Sequence, residues 1–199
     1  IEHAGETWFI DVTRNYQGGG LFGWHFPNFG MGLPIHESGT GLVDLPDPGP
    51  PRIEVEEVFD VAEEQGGDAQ FSVTTRYFGY KADSQRAFFA QNSLEQIGQN
   101  YLTFYSAMYP GIELTAPMQI RDKGRASYEN SLEATESYPI RDIWHADQAE
   151  SGQLHLAFSP LALRHYLHLA PSPPRTPPYD TAPTTDCRIH NAGRMPEAR

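Results

Sequence analysis

The chain has 199 residues and a mass of 22.3 kDa, with 39% hydrophobic, 20% charged and 12% aromatic residues and a formal charge of −12. A chain of this length buries roughly 70% of its unfolded surface, as one large domain or two small ones. Eleven Phe, ten Tyr and three Trp exclude a wholly disordered chain, the acid excess excludes sequence-independent binding to DNA or RNA, and nothing approaches the ~18 consecutive apolar residues of a membrane span.

The first stretch, 1–48, opens on Ile1-Glu2-His3-Ala4-Gly5-Glu6, without a Met start, a basic segment or an apolar run. It reads as a fragment that begins within a strand, with any targeting signal upstream. Thr7-Trp8-Phe9-Ile10-Asp11-Val12 is β-rich and follows a turn, so it reads as the second strand of a hairpin. With Ala4-Gly5 as a two-residue loop, His3 faces Glu6 and paired positions sum to nine. Gln17-Gly18-Gly19-Gly20 reads as a turn with positive φ angles. Residues 21–33 are too punctuated by Gly and Pro for a regular element, and 36–45 offer one short strand. Asp47-Pro48-Gly49-Pro50-Pro51 is a stiff linker and marks a boundary.

The second stretch, 52–144, is the best organised. Alternation over 53–61 and 69–78, around Gln65-Gly66-Gly67-Asp68, predicts a hairpin. Asp83 is placed to cap a helix through Ala90, and Ser93 with Gln96 forms a capping box for a second helix to Tyr109. Leu94, Ile97, Tyr101, Leu102, Tyr105 and Met108 give that helix one apolar face. Residues 112–120 and 127–138 read as two further strands around an Asp122-Lys123-Gly124 turn. The order β-β-α-α-β-β predicts an antiparallel sheet with two helices packed on one face, an α+β unit.

In the third stretch, 145–199, residues 161–169 suit a short helix. Six prolines fall between 171 and 183, so 171–199 reads as extended or disordered. Cys187 is the one cysteine, which excludes an internal disulfide and a Cys-based zinc site.

Most clusters that suggest chemistry have a plainer reading. His165 and His168 have metal-ligand spacing but no nearby carboxylate, and read as a polar helix face. Gln17-Gly18-Gly19-Gly20 lacks the Lys-Ser/Thr of a phosphate loop. Glu54, Glu56 and Glu57 read as the solvated face of a strand, and Tyr101, Tyr105 and Tyr109 as core packing. Cys187 has no neighbouring base to lower its pKa. Asp11 stands apart: a carboxylate between Ile10 and Val12 on a strand is costly unless paired or hydrogen-bonded.

The surroundings of Asp11 also carry a resemblance. Trp8-Phe9-Ile10-Asp11-Val12-Thr13-Arg14, then Gln17-Gly18-Gly19, then Pro27-Asn28-Phe29-Gly30, resembles bacterial transglutaminase-like proteins with an N-terminal DUF3857 domain. In that family the catalytic Asp stands in a Trp-x-Asp-Pro-Thr type strand followed by a Gln-Gly-Gly turn; Val12 stands here where Pro is usual. The similarity continues through Thr75-Arg76-Tyr77-Phe78-Gly79-Tyr80-Lys81-Ala82-Asp83-Ser84-Gln85-Arg86, the Asn100-Tyr101-Leu102 and Tyr109-Pro110-Gly111-Ile112 segments, and Glu136-Ser137-Tyr138-Pro139-Ile140 before Trp144. Arg175-Thr176-Pro177-Pro178-Tyr179 resembles the start of the family's C-terminal β-rich region.

The resemblance implies the end of a papain-like transglutaminase core over 1–48, an α+β accessory domain over 52–144, and an incomplete, Pro-rich β-rich region over 145–199. It implies a Cys-His-Asp triad acting on protein or peptide amides as acyltransferase or peptidase, with no metal or organic cofactor. Asp11 is the triad member present. The hairpin arithmetic places its facing partner before Ile1, so Cys and His are expected upstream and the fragment alone is expected to be inactive. A cell-envelope or periplasmic location is implied in the same way. The rival reading is a non-catalytic β-rich interaction or scaffold module.

Overall fold

The structure, a computed structural model, describes residues 2–3, 6–7, 12–20, 29–33, 41–47, 52–61, 67–124, 129–146 and 154–156. The first two strands, β1 (Glu2–His3) and β2 (Glu6–Thr7), pair antiparallel as Glu2↔Thr7 and His3↔Glu6. That is the register expected of an Ala4-Gly5 loop. A second small pair joins β3 (Met31–Gly32) to β4 (Val43–Asp44). Its first strand lies where the Gly and Pro content suggested no regular element. Gly30, at φ 69, turns the chain into β3 and accepts a hydrogen bond from Leu45 N at 2.8 Å. Of the single strand expected over 36–45, the described part is β4. Among the described residues 1–48 form no papain-like core: they contribute these two short pairs and the turn at 12–20.

The main body is a four-stranded antiparallel sheet built from β5 (Ile53–Val61), β6 (Ala69–Phe78), β7 (Gln119–Asp122) and β8 (Ser131–Ile140), in the order β5-β6-β8-β7. Alternation with period two gives each long strand one apolar face, which fixes the register. Ile53 faces Tyr77 and Tyr77 faces Leu132; Phe59 faces Phe71 and Phe71 faces Tyr138. The opposite face is polar. There Arg76 bridges Glu56 at 3.3 Å and Glu133 at 3.0 Å, and Ser72 meets Ser137 at 3.2 Å. Because β7 pairs with β8 only from Leu132 to Thr135, Pro139 lies on a part of β8 with no β7 neighbour, where a missing N–H is tolerated.

Two helices, α1 (Tyr80–Gln91) and α2 (Leu94–Ser106), connect β6 to β7. The cap of α2 is as expected, with Ser93 Oγ accepting from Gln96 N. The reciprocal half of the box is absent, since Gln96 Nε2 donates instead to Asn100 Oδ1. Helix α1 departs more. It starts three residues before Asp83, from Gly79 at φ 57 and without a side-chain cap. Asp83 is therefore inside the helix and buried, with its carboxylate committed elsewhere.

The core forms where α2 covers the apolar sheet face. Phe71 is its centre, stacked on Phe59 at 4.4 Å and met edge-on by Tyr105 at 5.2 Å. Burial of such side chains contributes about 1.5–3 kcal/mol each. Ile97, Tyr105 and Tyr109 are buried, Leu94, Tyr101 and Leu102 partly so, and Met108 is exposed. Met108 falls outside the apolar face because α2 ends at Ser106.

The strand expected over 112–120 is mostly absent. Ile112 makes one isolated bridge to Ile140, and the chain re-enters the sheet only at Gln119, after Pro117. The final strand, expected over 127–138, runs from Ser131 to Ile140. Beyond it, β9 (Trp144–Ala146) pairs with β10 (Leu154–Leu156) and runs across the expected boundary at 144. The linker prolines 48–51, the possible helix at 161–169 and the tail 171–199 lie outside the described residues.

Candidate functional site

The sheet-and-helix unit contains a buried polar node. Asp83 and Arg86 sit one turn apart on α1, so their side chains share a face, while Asn130 immediately precedes β8. The three are 3%, 5% and 3% exposed. Arg86 Nη1 donates to Asp83 Oδ1 and Asn130 Oδ1, each at 2.8 Å; Nη2 donates to the Ser131 carbonyl at 3.1 Å, and Nε reaches both Asp122 oxygens at 3.0 Å. Asn130 Nδ2 donates to Asp83 Oδ1 at 2.8 Å and to the Gly79 carbonyl at 3.1 Å. A buried cation survives when its donors are occupied and its charge is matched, and both conditions hold here.

The node also fastens a distant stretch of chain. Gly18 N donates to Asp83 Oδ1 at 3.0 Å across 65 residues, and Gly19 N donates to the Gly124 carbonyl at 2.6 Å. Arg14 Nη2 reaches Ser84 Oγ at 3.3 Å. The glycines are required by space. A Cβ on Gly18 would lie 2.6 Å from Arg86 Nη1 and 2.7 Å from Asn130 Oδ1, and one on Gly124 would collide with Arg86 Nη2. The turn has positive φ at Gly19 (83°), as expected, and at Tyr16 (64°). For a bulky residue that conformation is strained, and it persists where surrounding structure fixes it.

A second buried polar group lies beneath α2. Alternation directs Glu57 and Glu136 to the core face, in one row with Val73 between them: Glu57 faces Val73, and Val73 faces Glu136. They are 1% and 6% exposed. The expected solvated strand face is thus wrong for Glu57, whose position in the alternation places it inward with Val55 and Phe59. Tyr138 Oη donates to Glu136 Oε2 at 2.7 Å. Burial pushes the Glu136 carboxyl up to about 7 against the opposing effect of that hydrogen bond. Burial, with the nearby Glu136 charge, likewise raises the phenols of Tyr101, Tyr105 and Tyr138.

Of the residues singled out in the sequence, Tyr105 and Tyr109 are buried in the core as expected and Tyr101 packs against it partly buried, while Gly18 and Gly19 of the Gln17-Gly18-Gly19 turn are brought to the node. Asp11, His165, His168 and Cys187 lie outside the described residues. The Asp-x-x-Arg spacing was a visible signal for half of the node; Asn130 and Gly124 gave none. No group of three or more His, Cys, Asp or Glu among the described residues is arranged to hold a metal, and no described helix is long and apolar enough to cross a membrane. No family model matches the chain, and no curated protein or solved structure shows significant similarity to it.

Proposed function

We propose that the chain is the C-terminal part of a transglutaminase-like thiol acyltransferase or peptidase acting on protein or peptide amides, with its sheet-and-helix unit serving as the platform that anchors the segment after Asp11. One observation carries this reading. Two of the stretches that bear the family resemblance, Gln17-Gly18-Gly19 and Ala82-Asp83-Ser84-Gln85-Arg86, are far apart in sequence yet bonded directly to one another through Gly18 N and Asp83. In such a reaction a Cys thiolate attacks the amide carbonyl and the leaving amine takes its proton from His. Asp11 holds the imidazole tautomer and balances the imidazolium charge. Asp11 is the triad member that the resemblance maps onto this chain.

The scaffold reading draws support from Phe29, Met31, Leu33 and Leu42, large apolar side chains exposed within and beside the β3–β4 pair, since exposed apolar surface suits a binding role. The two readings separate in single-turnover acylation of the parent protein by an activated ester, wild type against Asp11→Asn. Loss of the charge costs ~10⁴-fold in serine triads, and the more nucleophilic thiolate reduces this to an expected 10²–10³-fold, on the order of what the tautomer effect leaves. Equal rates in two folded proteins favour the scaffold.

A further inference from the structure

Glu136 lies on the apolar face of the main sheet, on β8, paired with Val73 of β6 and one residue beyond the last β7 pair at Thr135, with α2 above it. Adjacent strands lie ~4.8 Å apart, which puts the Glu57 and Glu136 backbones about 10 Å apart with Val73 between. The surroundings of Glu136 are defined on each side. From β5 comes Glu57; from β6 come Phe71, Val73 and Thr75, none of them charged; from β8 itself comes Tyr138; from α2 come Tyr101 and Tyr105. Tyr105 is within electrostatic reach of both carboxylates, and Tyr101 of Glu136. Among the described residues no Lys or Arg is paired with Glu136, because the Arg76 and Lys123 contacts go to Glu133 on the opposite face.

As a neutral acid Glu136 is tolerated there, hydrogen-bonded to Tyr138. As a carboxylate it has one hydroxyl partner, no described counter-ion, and Glu57 two strands away in the same row. A buried charge in that position is relieved by water. Water reaches it most readily by movement of α2. Strand β8 is held in the ladder by β6 along its whole length, whereas α2 is held to the sheet by side-chain packing at Ile97 and Tyr105. We propose that Glu136 is a protonation-controlled latch: protonated, it lets α2 lie on the sheet, and ionised, it loosens α2 while the sheet stays formed. The burial that drives its carboxyl to about 7 sets the change near neutral pH. The latch does not depend on the acyl-transfer reading.

The test is hydrogen exchange of the 199-residue chain, corrected for the intrinsic pH dependence of exchange, from about pH 5 to about pH 9. Between about pH 5 and about pH 7, where the loosened state has released the Glu136 proton and the closed state still holds it, α2 amides from Ile97 to Tyr105 are expected to lose about tenfold protection per pH unit, the slope of one released proton, and to level off above that, while β6 and β8 keep theirs. Glu136→Gln, neutral at every pH, should remove that dependence. Flat α2 protection in the wild type, equal loss in β6 and β8, or an unchanged slope in Glu136→Gln would each overturn the proposal. So would removal of the slope by Glu57→Gln alone. If Glu136→Gln does not fold, carbon-13 spectra of glutamate-labelled wild type decide: the Glu136 carboxyl and the α2 amide shifts must titrate together, and a carboxyl titrating at the ordinary value refutes the latch.

Discussion

Replacing Arg86 by Met tests whether the buried node holds the fold as its geometry indicates. Met keeps the aliphatic bulk of the stem and removes the guanidinium. Asp122 has a side chain 28% exposed and regains water. Asp83, only 3% exposed, does not; it is left as a buried anion with the Gly18 N–H and the Asn130 amide as donors. Breaking a buried pair in this way costs about 3–5 kcal/mol, and those two surviving donors place the loss in the lower part of that range. The magnitude comes from the stranded charge, so removing the charge must return part of it. Asp83→Asn in the Arg86→Met background keeps an oxygen for Gly18 N and is expected to recover about 1–2 kcal/mol, the worth of a desolvated polar group. Urea denaturation followed by far-ultraviolet circular dichroism, at constant m-value, measures both steps. A loss below about 1 kcal/mol for Arg86→Met, or a double variant no more stable than the single one, would refute the reasoning.

Two further outcomes follow from the same structure. Stability to urea should fall as pH rises through neutrality: the Glu136 carboxyl is raised in the folded state from 4.5 to about 7, so its contribution is full below the unfolded value and is lost as pH passes the folded one. At 1.36 kcal/mol per pKa unit the loss is about 3 kcal/mol, and Glu136→Gln should flatten the curve. Gly18→Ala should release the anchored turn without melting the sheet, because its methyl would meet Arg86 and Asn130 below 3 Å. Tryptic cleavage after Arg14 should then quicken about tenfold, equivalent to 1.4 kcal/mol of easier local opening, while sheet ellipticity holds; an unchanged rate contradicts the clash.

The parts of this fold legible in the sequence are those governed by local pattern. Alternation located β5 and β6, and the Ser93 cap located the start of α2. The Ala4-Gly5 loop gave the β1–β2 register. Asp83 was misplaced because an acidic residue near a helix start reads as a cap, whereas here its oxygen is taken by three donors, two of them remote in sequence. The apolar run at 112–120 resembled a strand, but a bridge at Ile112 and Pro117 before β7 leave most of it outside the ladder. Glu57 was legible in principle: its place in the Ile53-Val55-Phe59 alternation pointed inward, and its acidic neighbours argued the other way. The node was half legible. Asp83 and Arg86 share a helical face in any reading, but Gly18, Gly124 and Asn130 converge on them only through tertiary folding.

The pairing order of the main sheet also bears on synthesis of the chain. Strand β6 joins β5 soon after both are made, but its other edge is completed only by β8, the last strand of that sheet in the sequence. At roughly 5–20 residues per second, the interval from Phe78 to Ile140 lasts about 3–12 s on the ribosome. During it α1 and α2 are already made and able to screen the apolar face, yet neither satisfies the backbone groups along that edge. A ten-residue strand edge bearing Phe71, Val73 and Tyr77 is then open to pairing with neighbouring nascent chains. Arrival of β8 at once closes the edge and brings Asn130 to Arg86, so the step that protects the newborn sheet also secures the N-terminal turn.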